Sequence, residues 1–297
     1  MLENDRRALL FGLAAVLAWS TVATAFKLAL RELEVIQLLA YASFCSAVAL
    51  LGIVLLRGQG HLLLVYLRQT PGYFCLMALL NPLAYYLILF RAYDLLPAQQ
   101  AQTINYTWAI MLALLAIPLL GQRLSGRDLL AVLLGYCGVV IIATEGRVPS
   151  MTFASVEGVV YALVSTEIWA LYWIASARNT RDPVVSLCLN FLLAAPLALA
   201  GCAVFSSLWP PSGYALASAL YVGLFEMGIT FALWSTALRL ASNVSRVGNL
   251  IFLSPILSLI FIATILGETI HPATLVGLAL IIPGVLLQQS QRSAQGD

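Results

Sequence analysis

The chain has 297 residues, of which 62% are hydrophobic and 9% charged. A soluble domain carries about 25% charged residues and could not bury this much apolar surface, so a soluble enzyme, a disordered segment and a nucleic-acid binder are excluded. A net charge of +2 is too small to draw a polyanionic partner.

Apolar runs of about 20 residues match the thickness of a bilayer core. Ten runs predict membrane helices at 8–30, 34–56, 73–93, 97–119, 128–144, 156–178, 184–205, 214–237, 243–266 and 273–289. They lack the alternation of barrel strands, so helices are the spanning form. The basic start followed by an apolar run has the outline of a secretory leader. Its length and the spans after it make it a retained first helix. Connections are short, the longest being 57–72, and leave no room for an extramembrane domain such as an ATPase. Cys45, Cys75, Cys137, Cys188 and Cys202 lie inside apolar runs with no CxxC pair, and read as small core hydrophobes.

Placing the N-terminus in the cytoplasm puts eleven basic residues on that side: Arg6, Arg7, Arg57, Arg68, Arg123, Arg127, Arg178, Arg181, Arg239, Arg246 and Arg292. Lys27, Arg31, Arg91 and Arg147 fall on or near the other side. The loops are short enough for this bias to set orientation. Ten spans return the C-terminus to the cytoplasm as well.

A shift of 146 residues superposes the two halves. It pairs Gly12 with Gly158, Leu17 with Leu163, Ala29 with Ala175, Gly121 with Gly267, Gly138 with Gly284 and Val139 with Val285. The expected organisation is one membrane domain made of two five-helix copies, 1–147 and 148–297. An odd number of helices per copy makes the second enter the membrane from the opposite side, the inverted repeat of secondary transporters.

The two histidines, His61 and His271, both fall in loops. A Ser/His dyad within the membrane, a paired-His metal site and a Walker A loop are therefore absent, and no cofactor or metal is expected. Ionisable groups at depth are costly and mark function by default. Glu167 and Glu226 lie mid-span and are candidates for proton sites or partners of a substrate ammonium. The neighbours of Glu167 are mostly apolar, which points it toward another helix. Glu226 is the better titrating candidate, unless it simply bonds Thr230 one turn away.

The first span carries Ser20, Thr24 and Lys27 at helical spacing beside Trp19, and the sixth carries Trp169 and Trp173. Lys27 either binds a carboxylate or snorkels to the headgroups. The third span adds Asn81 and Tyr85; the fourth adds Gln102, Asn105 and Tyr106; the eighth adds Phe231 and Trp234; the ninth adds Phe252. Aromatic walls with a few amides suit a ligand with a flat apolar side chain and polar ends. Ordinary bundle packing is the competing reading for each aromatic alone. Pro82 and Pro255 are candidate hinges within spans, while Pro196 and Pro283 also interrupt the ladder. Ala131, Gly135, Gly138, Gly277 and Gly284 permit close packing of the fifth and tenth spans, as scaffold or as a homodimer contact.

Several of these residues fall into a family pattern. Trp19-Ser20 with Lys27 in the first span, Leu253-Ser254-Pro255 in the ninth, and Gly267-Glu268 at its end resemble the drug/metabolite transporter superfamily, in its EamA-type repeats. The likeness covers nearly the whole chain, and its aromatic content is similar to that of the superfamily's bacterial aromatic amino acid exporters. The resemblance implies a multi-pass protein of the bacterial inner membrane. It implies alternating access through a cavity walled by spans 1, 3, 4, 6, 8 and 9, and export of aromatic and other amino acids or related metabolites. Other branches carry nucleotide sugars, sugar phosphates or drugs; the anions among these need more cations at depth than this chain has. An intramembrane enzyme or a channel is the alternative from another class. The first copy departs from the pattern with Gln122 in place of Glu and Ala109 where the second has Pro255, so the fourth span is expected to be straighter than the ninth.

Overall fold

The computed structural model describes residues 2–121, 126–148, 154–241, 247 and 249–295. Gln122, Arg123, Arg246 and the predicted start of the ninth span lie outside them, as do the side chains of Arg127, Phe252 and Arg292. Among the described residues every regular element is helical. We number the helices α1 Asn4–Leu30, α2 Val35–Leu56, α3 Gly60–Gln69, α4 Pro71–Leu95, α5 Ala98–Leu119, α6 Gly126–Ala143, α7 Val156–Ala177, α8 Pro183–Phe205, α9 Gly213–Leu240, α10 Leu253–Leu266 and α11 Pro272–Gln295. Seven of them, α1, α2, α4, α5, α7, α8 and α9, are long and apolar enough to cross a membrane. α6, α10 and α11 contribute shorter apolar stretches.

The one helix absent from the sequence expectation is α3, which replaces the long connection at 57–72. It has no buried residue. Its run Leu62-Leu63-Leu64-Val65 is apolar but only ten residues long with Arg68 in the last turn, too short to span and suited to an interface.

Helix pairing joins the halves. α1 packs on α9 and α10, and α7 packs on α4 and α5. α2 packs on α8, and α6 packs on α11. Exchanging α1, α2, α4, α5 and α6 for α7, α8, α9, α10 and α11, in that order, leaves this set unchanged. Large apolar side chains on the outside, among them Phe44, Val48, Leu133, Leu197 and Leu275, are exposed and form the surface that lipid would cover.

Close approach rests on glycine. A Cβ on Gly138 would stand 2.7 Å from the Gly277 carbonyl oxygen, and one on Gly277 would stand 2.4 Å from Ile142. The small residues of α6 and α11 therefore face each other within one chain, which makes them scaffold rather than dimer contacts. Without a hydrophobic drive between helices in lipid, such backbone contact is what associates them. Gly121 and Gly267, which the 146-residue shift pairs, both end a helix in the left-handed region, with φ of 67° and 70°, where an L side chain is disfavoured.

Four long helices are interrupted, α1 among them at Thr21. In α4 the turn Leu79–Ala84 is widened, and Asn81 leaves helical geometry (φ −142°, ψ 114°) just before Pro82. In α9 the turn Gly223–Gly228 is widened without any proline. There Gly223 sits against α2, where a Cβ would stand 2.4 Å from the Ala42 carbonyl oxygen. α5 breaks at Tyr106–Thr107. There the Thr107 hydroxyl donates to the Ile104 carbonyl at 2.8 Å, a local bond that competes with the helical ladder. The ninth span, expected to be the less straight of the two, is widened over Ile262–Leu266, and its start lies outside the described residues. Pro82 is the proline at an interruption. Pro255 lies in the first turn of its helix, and Pro196 and Pro283 sit within continuous helices.

Candidate functional site

The interruptions in α4, α5 and α9 surround a continuous group of aromatic rings. Trp169 of α7 is its centre, 8% exposed. It stacks on Tyr85 of α4 at 4.4 Å between centroids and on Tyr172 at 5.3 Å. Phe231 of α9 meets it edge-on at 6.3 Å. Phe231 in turn meets Trp19 of α1 at 5.4 Å, and Trp19 meets Trp234 at 5.5 Å. Trp173 extends the group from Trp169 to Trp108 of α5. Six predicted residues are thus brought together: Trp19, Tyr85, Trp169, Trp173, Phe231 and Trp234. The buried spine is Tyr85 and Trp169, and the other four are half-buried. Edge and offset-stacked contacts of this kind hold aromatic faces in fixed directions.

Two of the amides expected to meet a ligand, Asn105 and Gln102, also join helices. Tyr85 donates to Asn105 Oδ1 at 3.3 Å, and Asn105 Nδ2 donates to Ser165 at 2.9 Å. Gln102 Oε1 accepts from Ser258 of α10 at 2.7 Å. In low dielectric such satisfied networks rigidify the wall they belong to. Tyr106 is half-buried at the break in α5.

Glu226 sits in the widened turn of α9, and its carboxylate accepts from the Tyr86 hydroxyl at 3.1 Å. Trp19 Nε1 points at the Glu226 carbonyl from 3.5 Å. The expected Thr230 partner is not used: Thr230 bonds the Phe225 carbonyl. Tyr86, fully buried, was hidden beside Tyr85; only the three-dimensional pairing singles it out. Glu167 is exposed and joins neither group.

In α1 the polar stripe divides. Ser20 donates to its own helix at the Val16 carbonyl, and Thr24 is buried without a partner. Lys27 turns to the protein's own backbone. Its ammonium donates to the Tyr93 and Leu96 carbonyls at 2.7 and 3.0 Å, at the end of α4. The Glu268 carboxylate accepts from the Ala98 and Gln99 backbone N–H groups at 3.0 and 3.4 Å, at the start of α5. A cation on a helix C-terminus and an anion on a helix N-terminus both match the helix dipoles. Gln99 adds bonds to Thr269, His271 and Thr274. A cavity of about 680 Å³ opens near this end, lined by Arg31, Glu32, Glu34, Arg91, Asp94 and Tyr161 among others, apart from the aromatic group.

The model of the EamA-like transporter family matches this chain twice, at residues 6–144 and 156–288. The chain is 28% identical to the aromatic amino acid exporter YddG of Ancylobacter novellus, over 93% of this chain and 95% of that protein. It is also 28% identical to the uncharacterized protein PA1977 of Pseudomonas aeruginosa, over 94% and 95%, and 24% identical to the uncharacterized transporter YvbV of Bacillus subtilis, over 77% and 75%. One solved crystal structure superposes with a TM-score of 0.69, covering 98% of this chain and 99% of the other at 24% identity, which is a likeness of fold.

Proposed function

Because the chain belongs to the EamA-like transporter family, we propose that it exports aromatic and other neutral amino acids, or closely related small metabolites, across the bacterial inner membrane. The observation that carries this reading is the ring group around Trp169, assembled from α1, α4, α5, α7 and α9. A flat apolar side chain fits such a surface, and the half-buried flank of Trp19, Phe231 and Trp234 is where it would lie. The Ancylobacter relative, an aromatic amino acid exporter, agrees with this substrate class. An anionic sugar phosphate fits less well, since Lys27 is committed to two carbonyls.

We read the architecture as ten crossings in two inverted copies, 1–147 and 148–297, with both termini cytoplasmic. The two family matches, the exchange-invariant helix pairing and the paired left-handed glycines support it. Alternating access then means opening the bundle first at one end and then at the other around the ring group. In this orientation the turn held by Lys27 and Glu268 is the outer closure. A homodimer, expected through α6 and α11, would use their outward faces, where Leu129, Leu133, Leu275 and Val276 are exposed.

The test is uptake of labelled phenylalanine and tryptophan by proteoliposomes holding the purified protein. Saturable uptake, competed by neutral amino acids and absent from empty vesicles, is expected. Uptake of nucleotide sugars with no amino acid transport would refute the substrate class.

A further inference from the structure

Beside the ring group lies a second polar cluster, which shares Tyr172 with it. Asn81 at the interruption of α4, Asn190 of α8 and Tyr172 of α7 are 1%, 2% and 7% exposed. The two carboxamides lie beside the Tyr172 hydroxyl. Neither the Asn81 nor the Asn190 side-chain oxygen has a hydrogen-bond partner. Buried acceptors left without donors are costly, so a cluster that keeps two of them calls for a missing partner.

The scaffold does not demand these groups. The 146-residue shift carries Asn81, Tyr172 and Asn190 onto Met227, Phe26 and Phe44. The corresponding positions of the other half are apolar; Phe26 and Met227 are buried there, whereas Phe44 is exposed.

The donor balance defines the partner. Two carbonyl-type oxygens await donors, and the phenol carries a single proton. A carboxylate brings no donor and, with the single phenol proton, would leave at least one oxygen unpaired. A primary ammonium brings three. Tyr172 is also stacked on Trp169 at 5.3 Å, so its ring lies next to the surface proposed for the substrate, where a cation is favoured over an aromatic face.

We propose that Asn81, Asn190 and Tyr172 form the subsite for the substrate's ammonium group, with its flat side chain on the Trp169 surface. The inference rests on the amino acid reading above and extends it to the end of the substrate that is recognised. Both amide oxygens are shut from solvent here, so the subsite fills when the interrupted turn at Asn81 moves.

Three probes separate the ends of the ligand: phenylalanine, phenethylamine, which lacks the carboxylate, and 3-phenylpropionate, which lacks the ammonium. Binding is followed by tryptophan fluorescence of the full chain in lipid nanodiscs. Asn190→Leu is expected to weaken phenylalanine and phenethylamine by about tenfold, as for one lost hydrogen bond to a charged group, and to leave 3-phenylpropionate unchanged. Asn190→Asp acts in the opposite sense and is expected to tighten phenethylamine, which guards against a variant that merely misfolds. Equal weakening of all three probes, or no change in any, overturns the subsite while leaving the amino acid reading in place. Such a result would assign the cluster to a structural water. If the wild type binds none of the three, the amino acid reading fails and the subsite falls with it.

Discussion

Lys27 and Glu268 hold the two sides of one tight turn: the lysine ammonium caps the end of α4 and the glutamate carboxylate caps the start of α5. The 146-residue shift pairs them in the sequence with Trp173 and Gln122, neither of which is charged. A charge-assisted hydrogen bond is worth about 1.5–3 kcal/mol. Lys27→Met or Glu268→Gln should therefore shift the balance toward opening at this turn by about tenfold or more. The check is labelling from outside of a single cysteine placed at Gln102, with the five native cysteines removed. Unchanged labelling in both variants would make the clamp purely structural.

Trp169 carries two stacked neighbours, and each stacked pair contributes about 0.5–1.5 kcal/mol beyond burial. Trp169→Ala should lower phenylalanine and tryptophan transport by about tenfold or more. Tyr85→Phe keeps the stack and loses only the bond to Asn105, so its loss should be smaller than that of Tyr85→Ala. Equal rates for both alanine variants and wild type in proteoliposomes would remove this surface from the transport path.

Glu226 and Tyr86 form the one carboxylate–phenol pair described beside the ring group. Proton coupling through Glu226 predicts that transport varies with pH in the wild type and much less in Glu226→Gln. Tyr86→Phe should displace the profile without abolishing it, because the carboxyl group remains. Identical rates and profiles for wild type and Glu226→Gln would leave a facilitator driven by its substrate gradient.

The glycines between α6 and α11 give a stability prediction. A valine at 277 must displace Ile142 or the backbone of α6, and overpacking of this kind costs about 1–3 kcal/mol. Gly277→Val should lower the melting temperature of the monomer in detergent. If these glycines instead joined two copies, the variant would yield a stable monomer from a dimer, which size-exclusion with light scattering separates.

The sequence by itself determined the membrane class, the ten apolar runs and six residues of the ring group, without Tyr172 and Trp108. It could do so because run length and helical spacing are local properties, written in consecutive residues. Trp19, Tyr85, Trp169, Phe231 and Trp234 were legible because they fall at helical spacing beside polar or other aromatic residues on their spans. Only the tertiary structure decided partners. Asn105 and Gln102 looked like ligand groups, yet each faces a side chain on another helix, Ser165 and Ser258. Lys27 looked like a headgroup anchor until the end of α4 came within 2.7 Å of it. Tyr86 and Asn190 gave no signal in the chain, since whether a polar group at depth is satisfied depends on atoms more than a hundred residues away.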